Sequence, residues 1–262
     1  MNRSGVFWGA ILILLGVLLL LNSLGILPVN VWAVFWPLAL VIFGISLLVG
    51  AFAGRGQKTA ENLALQLKGY EAAEVTISYG AGSLTMQGGA APDELLNGRF
   101  NGGVAHQLGD KDEVALVELR SPSGNVWNWG SWHDRSWSID LNNDLPIDLR
   151  LDTGASESYI DLSKTQTRSL RLKTGASSNV LILPAAAGET SVVIEGGAGS
   201  VEVRIPDGVA ARIEGQAALG ELKVDRKRFP RSGAANQSND YDTAANKTTI
   251  RVRFGVGEVK IA

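Results

Sequence analysis

The chain has no cysteine, only two histidines, and a single charge, Arg3, in its first 54 residues. The missing cysteine removes disulfides, thiol nucleophiles and thiolate metal sites, though its absence suits a reducing and an oxidising compartment alike. His106 and His133 stand 27 residues apart, and neither has a partner at ligand spacing. A basic excess is lacking too. After residue 54 there are 23 Lys and Arg against 26 Asp and Glu, a balance of −3 that leaves no electrostatic footprint for nucleic acid. Asp140, Asp148, Asp152 and Asp161 sit at alternating positions of strand-like phrases, as solvated outer-face residues do, rather than as an acid and base pair. The Gly-x-Gly phrases at Gly80, Gly197 and Gly255 lack the third glycine and the following helix of a dinucleotide loop. The sequence thus assigns no catalytic residue, cofactor site or metal ligand, and the expectation is a protein that is not an enzyme.

What the N-terminus has in place of charge is apolar length. Val6 to Leu27 and Val31 to Ala53 each run for about the 20 residues that cross a hydrocarbon core, and Asn22, Gly25, Pro28 and Asn30 interrupt them. This predicts a transmembrane helical hairpin over 1–54. Ala51-Phe52-Ala53 resembles a signal-peptide cleavage site, but a signal peptide has one apolar core of about 7 to 15 residues, and here two full spans precede the site. Arg3 before the first span, Arg55 and Lys58 after the second, and an uncharged connection predict that both termini and the following domain face the cytoplasm. Trp8, Trp32 and Trp36 lie near span ends, where indole rings prefer the interface.

The second half repeats. Leu149-Arg-Leu-Asp-Thr-Gly154, Leu170-Arg-Leu-Lys-Thr-Gly175 and Val192-Val-Ile-Glu-Gly-Gly197 recur at spacings of 21 and 22 residues, each followed by a second apolar alternation. Val75–Met86, Ile250–Ile261 and a looser phrase at Ile213–Val224 bring the copies to six. Period-two alternation in every copy predicts strands, and strands that cannot bury an apolar face alone must stack. The expected fold is an all-β solenoid over 71–262, joined to the membrane hairpin by a linker over 55–70. Leu151, Leu172 and Ile194 should face inward at one level, and Ile160, Leu181 and Val203 at another. Asp152, Lys173 and Glu195 should form a row of alternating charge on the outer face.

Two segments break the rhythm. An insertion over about 92–146 carries Trp127, Trp129, Trp132 and Trp137 among Asn, His, Asp and Arg, the composition of a surface for a partner or a sugar. The other reading is a hydrophobic cap over a solenoid end or a loop on the membrane interface. Arg226, Lys227, Arg228 and Arg231 open a segment that runs through Ser, Gly and Asn to Thr249. That segment reads as a basic hook on a flexible loop, able to touch anionic lipid or simply to be solvated.

Gly9-Ala-Ile-Leu-Ile-Leu-Leu-Gly16, Trp32-Ala-Val-Phe-Trp36-Pro37-Leu38 and Ile42-Phe-Gly44 resemble the transmembrane region of the LiaI/LiaF-like proteins. Trp137-Ser-Ile-Asp-Leu141, Leu145-Pro146-Ile-Asp-Leu149 and the glycine turns resemble the toast-rack, or cell-wall-active antibiotic response, domain. The resemblance implies a bacterial membrane protein tied to envelope stress, in the best-known members an inhibitor of a membrane sensor kinase, and it brings no catalytic or cofactor site. Three roles follow as expectations. The first is a membrane-anchored regulator that contacts another membrane protein. The second is a self-associating scaffold, and the third a wall-binding module using the tryptophans.

Overall fold

A computed structural model of the chain describes residues 36–37, 40, 44, 60–122 and 135–262. The four residues before position 60 are helical, and the expected spans otherwise lie outside the described residues. Among the described residues no helix is long and apolar enough to cross a membrane.

From residue 60 onward the described residues are almost wholly strand. In chain order these are β1 (Glu61–Gln66), β2 (Ala72–Gly88), β3 (Glu94–Asn101), β4 (Ala105–Lys111), β5 (Val114–Arg120), β6 (Ser136–Leu141), β7 (Pro146–Asp161), β8 (Gln166–Ile182), β9 (Glu189–Arg204), β10 (Ala210–Val224), β11 (Arg231–Ser232), β12 (Ala235–Gln237) and β13 (Lys247–Ile261). They form one mixed sheet. The six repeated phrases are its six long strands, paired in parallel and in register in the order β2, β7, β8, β9, β13, β10. Stacking of the repeats is thus as expected.

Each long strand is two arms meeting at a corner. In β7 the buried positions are Ile147, Leu149, Leu151 and Thr153 before Gly154, and Ser156, Ser158 and Ile160 after it. A one-residue change of phase would flip a flat strand's apolar residues to the opposite face. Folding the strand at the glycine instead turns both arms toward one core, and a single cluster of buried side chains includes Leu151 and Ile160. The residues expected to face inward, Leu151, Leu172, Ile194, Ile160, Leu181 and Val203, are all fully buried.

At the corner the backbones come so close that no side chain fits. A Cβ on Gly175 would meet the Gly154 carbonyl oxygen at 2.9 Å, one on Gly197 the Gly175 oxygen at 3.1 Å, and one on Gly255 the Gly197 oxygen at 2.5 Å. The recurrent glycine that marks the repeat in sequence is therefore a column of backbone contacts running across the rungs.

Chain order and stacking order part at the end. β13 lies between β9 and β10 because an interior place needs an apolar inner face on both arms, and Ile250, Val252, Phe254, Val259 and Ile261 supply it. β10 has Ala217, Leu222 and Val224 at the matching places, and these are only partly buried on the outermost long strand.

Three expectations are corrected. Residues 61–66, read as linker, form an edge strand paired with β3, because Leu63 and Leu65 have core to pack against. The segment 92–146 is not a single break in the stack. Arg120 pairs with Ser78 and Ser136 with Ser83, so β5 and β6 lie against the two arms of β2 as two arms of one further rung. β4 then extends the first arm, and β3 and β1 the second. The segment after Arg226 is an ordered cap: Phe229 is fully buried, and the β11–β12 hairpin pairs with Arg212 and Ile213 on the first arm of β10.

Candidate functional surfaces

Alternating charge lies along the outer face of the first arms. The register sets Asp152, Lys173, Glu195 and Arg253 side by side. Glu195 accepts a hydrogen bond from Arg171 at 3.4 Å and forms an ion pair with Lys173 at 3.9 Å. Exposed pairs of this kind contribute about 0 to 1 kcal/mol each, so they fix register and surface character more than stability. Toward the corner this row borders a shallow, open groove of about 930 Å³, into which Arg120, Arg135, Lys173 and Arg253 bring positive charge. Pro122 also lines it.

Trp127, Trp129 and Trp132 lie outside the described residues, in the sequence between β5 and β6. Trp137 is the described one of the four. It begins an inward alternation with Ile139 and Leu141 and is 2 % exposed. Its ring sits 5.0 Å from Tyr79 and 5.0 Å edge-on from Phe100. A ring enclosed by two others offers no face to a partner, so Trp137 is a core residue and leaves the set of candidate contacts. The single proton of the Tyr79 hydroxyl is shared between the carbonyls of Ser83 and Arg135, at 3.1 and 3.0 Å. Burial pushes its phenol up to about 12 against the counter-pull of Arg135.

The four basic residues expected to meet lipid also divide. Arg226, Lys227 and Arg231 are exposed. Arg228 donates through its guanidinium to the carbonyls of Ile205, Pro206 and Val209, the last at 3.2 Å, and lies 5.0 Å from the Phe229 ring. Those hydrogen bonds tie the cap to the loop before β10, so Arg228 holds structure and is not available to a membrane. Periodicity gives no sign of this, since carbonyls freed at a loop are invisible in sequence.

Midway along the stack the core turns polar. Asn179 donates to Ser177 Oγ at 2.7 Å and to Thr174 Oγ1 at 3.5 Å, and Ser156 lies 3.4 Å from Ser158, all buried. Flanking the Thr153, Thr174 and Gly196 positions are Tyr79 on one side and Phe254 on the other, the Phe254 ring lying over Gly196 where a Cβ would be. Large rings thus fill the corner where small residues leave it open.

The second arms carry a separate ion-pair group at the β10 end. Lys223 contacts Glu258 at 3.2 Å and Glu221 at 3.3 Å, which holds its ammonium pKa above the usual lysine range. Glu202 accepts a hydrogen bond from Arg204 at 3.2 Å and pairs with Lys260 at 3.7 Å, and the Arg204 hydrogen bond holds its carboxyl below the usual range. Among the described residues no three His, Cys, Asp or Glu are grouped to hold a metal ion, and His106 is exposed on β4.

Three family models match the sequence. The N-terminal domain of toast_rack, DUF2154, matches residues 53–204, the LiaI-LiaF-like transmembrane region matches 6–48, and the C-terminal domain of the cell wall-active antibiotics response protein LiaF matches 179–261. No curated protein matches the chain. Among solved structures, a proposed cell adhesion protein from Clostridium sporogenes is 23 % identical and superposes with a TM-score of 0.68, over 78 % of this chain and 98 % of the other. At that identity the likeness shows a shared fold. A proposed adhesin from Bacteroides fragilis aligns over the same 78 % and 98 % at 10 % identity, with a TM-score of only 0.26.

Proposed function

Because the chain belongs to the LiaF-like toast-rack family, we propose that it is a membrane-anchored, non-enzymatic regulator of the bacterial cell-envelope stress response, which modulates a membrane sensor kinase through protein contacts. The observation that carries this reading is the succession of matches. A LiaI-LiaF-like transmembrane region over 6–48 leads directly into a toast-rack region from 53 and a LiaF-like C-terminal region to 261. Membrane association and a place in the envelope response follow from the family, and the kinase as target is the proposed step beyond it. The β domain supports a binding role. It is a stack of two-armed rungs with outward rows of charge, the kind of extended surface that repeat folds present to partners.

Deletion tests the proposal. In the native host, removing residues 1–54 or 71–262 should each raise basal output of the envelope-stress response to the level of a full deletion, and the full chain should co-purify with a sensor kinase. Unchanged output after either deletion, or a full chain that retains no kinase, would sink the regulator reading. A second reading, a self-associating scaffold, is favoured by one feature, the open edge of β10.

A further inference from the structure

β10 is an edge strand covered on one arm only. Its first arm is closed by the β11–β12 hairpin at Arg212 and Ile213, whereas its second arm, Leu219 to Val224, pairs with β13 on one side and with no described strand on the other. Leu222 and Val224, which occupy inner-face places, are left partly uncovered there, and Leu219 is 73 % exposed beside Val256 at 51 %. An unpaired row of backbone N–H and C=O groups next to uncovered apolar side chains is a template for another strand. Lysine usually guards such an edge, and Lys223 would repel its own copy in a parallel, in-register pairing.

Antiparallel pairing reverses that effect. About a two-fold axis through Leu222, residue 221 of one copy lies opposite residue 223 of the other. Glu221 then faces Lys223 twice, Leu222 meets Leu222, and Val224 covers Gly220. Moving the axis by one residue sets Glu221 against Glu221 or Lys223 against Lys223, so charge selects one register. We propose that two copies of this chain associate through the second arm of β10, antiparallel about Leu222, and so join two stacks into one continuous sheet. The contact is isologous and closes at two copies. It goes beyond the regulator reading and stands or falls without a kinase.

The absence of cysteine makes the test clean. In the full-length protein in its membrane, Leu222→Cys should form an intermolecular disulfide on mild oxidation. Directly opposed residues of an antiparallel pair have Cα atoms about 4.5 or 5.5 Å apart, within the roughly 4.4 to 6.8 Å that a disulfide spans. Thr85→Cys, exposed on a second arm far along the stack, should not cross-link. In the Leu222→Cys background, Glu221→Lys and Lys223→Glu should each lower the cross-linked fraction by about tenfold or more, as two attractive pairs become two repulsive ones. Co-expression of those two variants should restore it, because both pairs across the axis then join a lysine of one copy to a glutamate of the other. Circular dichroism confirms that each variant is folded. No disulfide from folded Leu222→Cys, equal cross-linking from Thr85→Cys, indifference to the single reversals, or no recovery in the co-expressed pair would each overturn the proposal.

Discussion

Tyr79 is the residue at which this core can be read by titration. Its buried phenol is held at about 12 against an ordinary value of 10.0. A pKa raised on folding gives stability that is complete below about pH 10 and lost as pH climbs through about 12, on the order of 2 to 3 kcal/mol. Tyr79→Phe should cost about 1 to 2 kcal/mol at neutral pH, since the carbonyls of Ser83 and Arg135 lose a donor. The variant should also lose less stability between pH 10 and 12, so the gap to the unmodified protein narrows. Denaturant unfolding at pH 8, 10 and 11.5 measures this, and parallel loss in both proteins would contradict the assignment. Trp137 is readable in principle, because Trp137, Ile139 and Leu141 alternate as an inner face does. Its nearness in sequence to Trp127, Trp129 and Trp132 draws it into the wrong group. Arg228 is not readable, since its partners are main-chain carbonyls of a loop some 20 residues earlier.

Among the elements, the long strands are legible and the short ones are not. Period-two alternation marks β2, β7, β8, β9, β10 and β13, and a glycine at a constant place marks all of them but β10, where Ala218 stands at the corner of the outermost long strand. β5 and β6 obey the same geometry, but residues 121–135 stand between their arms where the other rungs need only a tight corner. The spacing rule therefore fails at that rung. β1 and β3 pair antiparallel at the edge and carry no corner at all. The column of corner glycines gives the prediction at this scale. Gly175→Val sets a branched side chain against the Gly154 carbonyl, already 2.9 Å from the Cβ position, and should destabilise by about 1 to 3 kcal/mol through overpacking. The same change at Gly188, which has open space but φ of +73°, tests backbone strain alone. Thermal unfolding of both variants separates the two causes, and an unshifted midpoint for Gly175→Val would show that the rungs can part without cost.

For the molecule as a whole, the regulator reading requires the β domain to share a compartment with the kinase's cytoplasmic part, as the Arg3, Arg55 and Lys58 flanks predict. A C-terminal tag should resist protease in intact spheroplasts and be cut in inverted vesicles. The opposite result would put the domain outside and move Trp127, Trp129 and Trp132 to the front as a wall-binding group. The position of β13 also bears on how the protein is made. A ribosome delivers β9 and β10 before the strand that must lie between them, so the flank of each that faces the gap stays bare while residues 225–246 emerge. The stack cannot be finished in the order in which it is synthesised. Its last long strand enters as a wedge, and until it does, the half-built sheet is a substrate for chaperones and proteases.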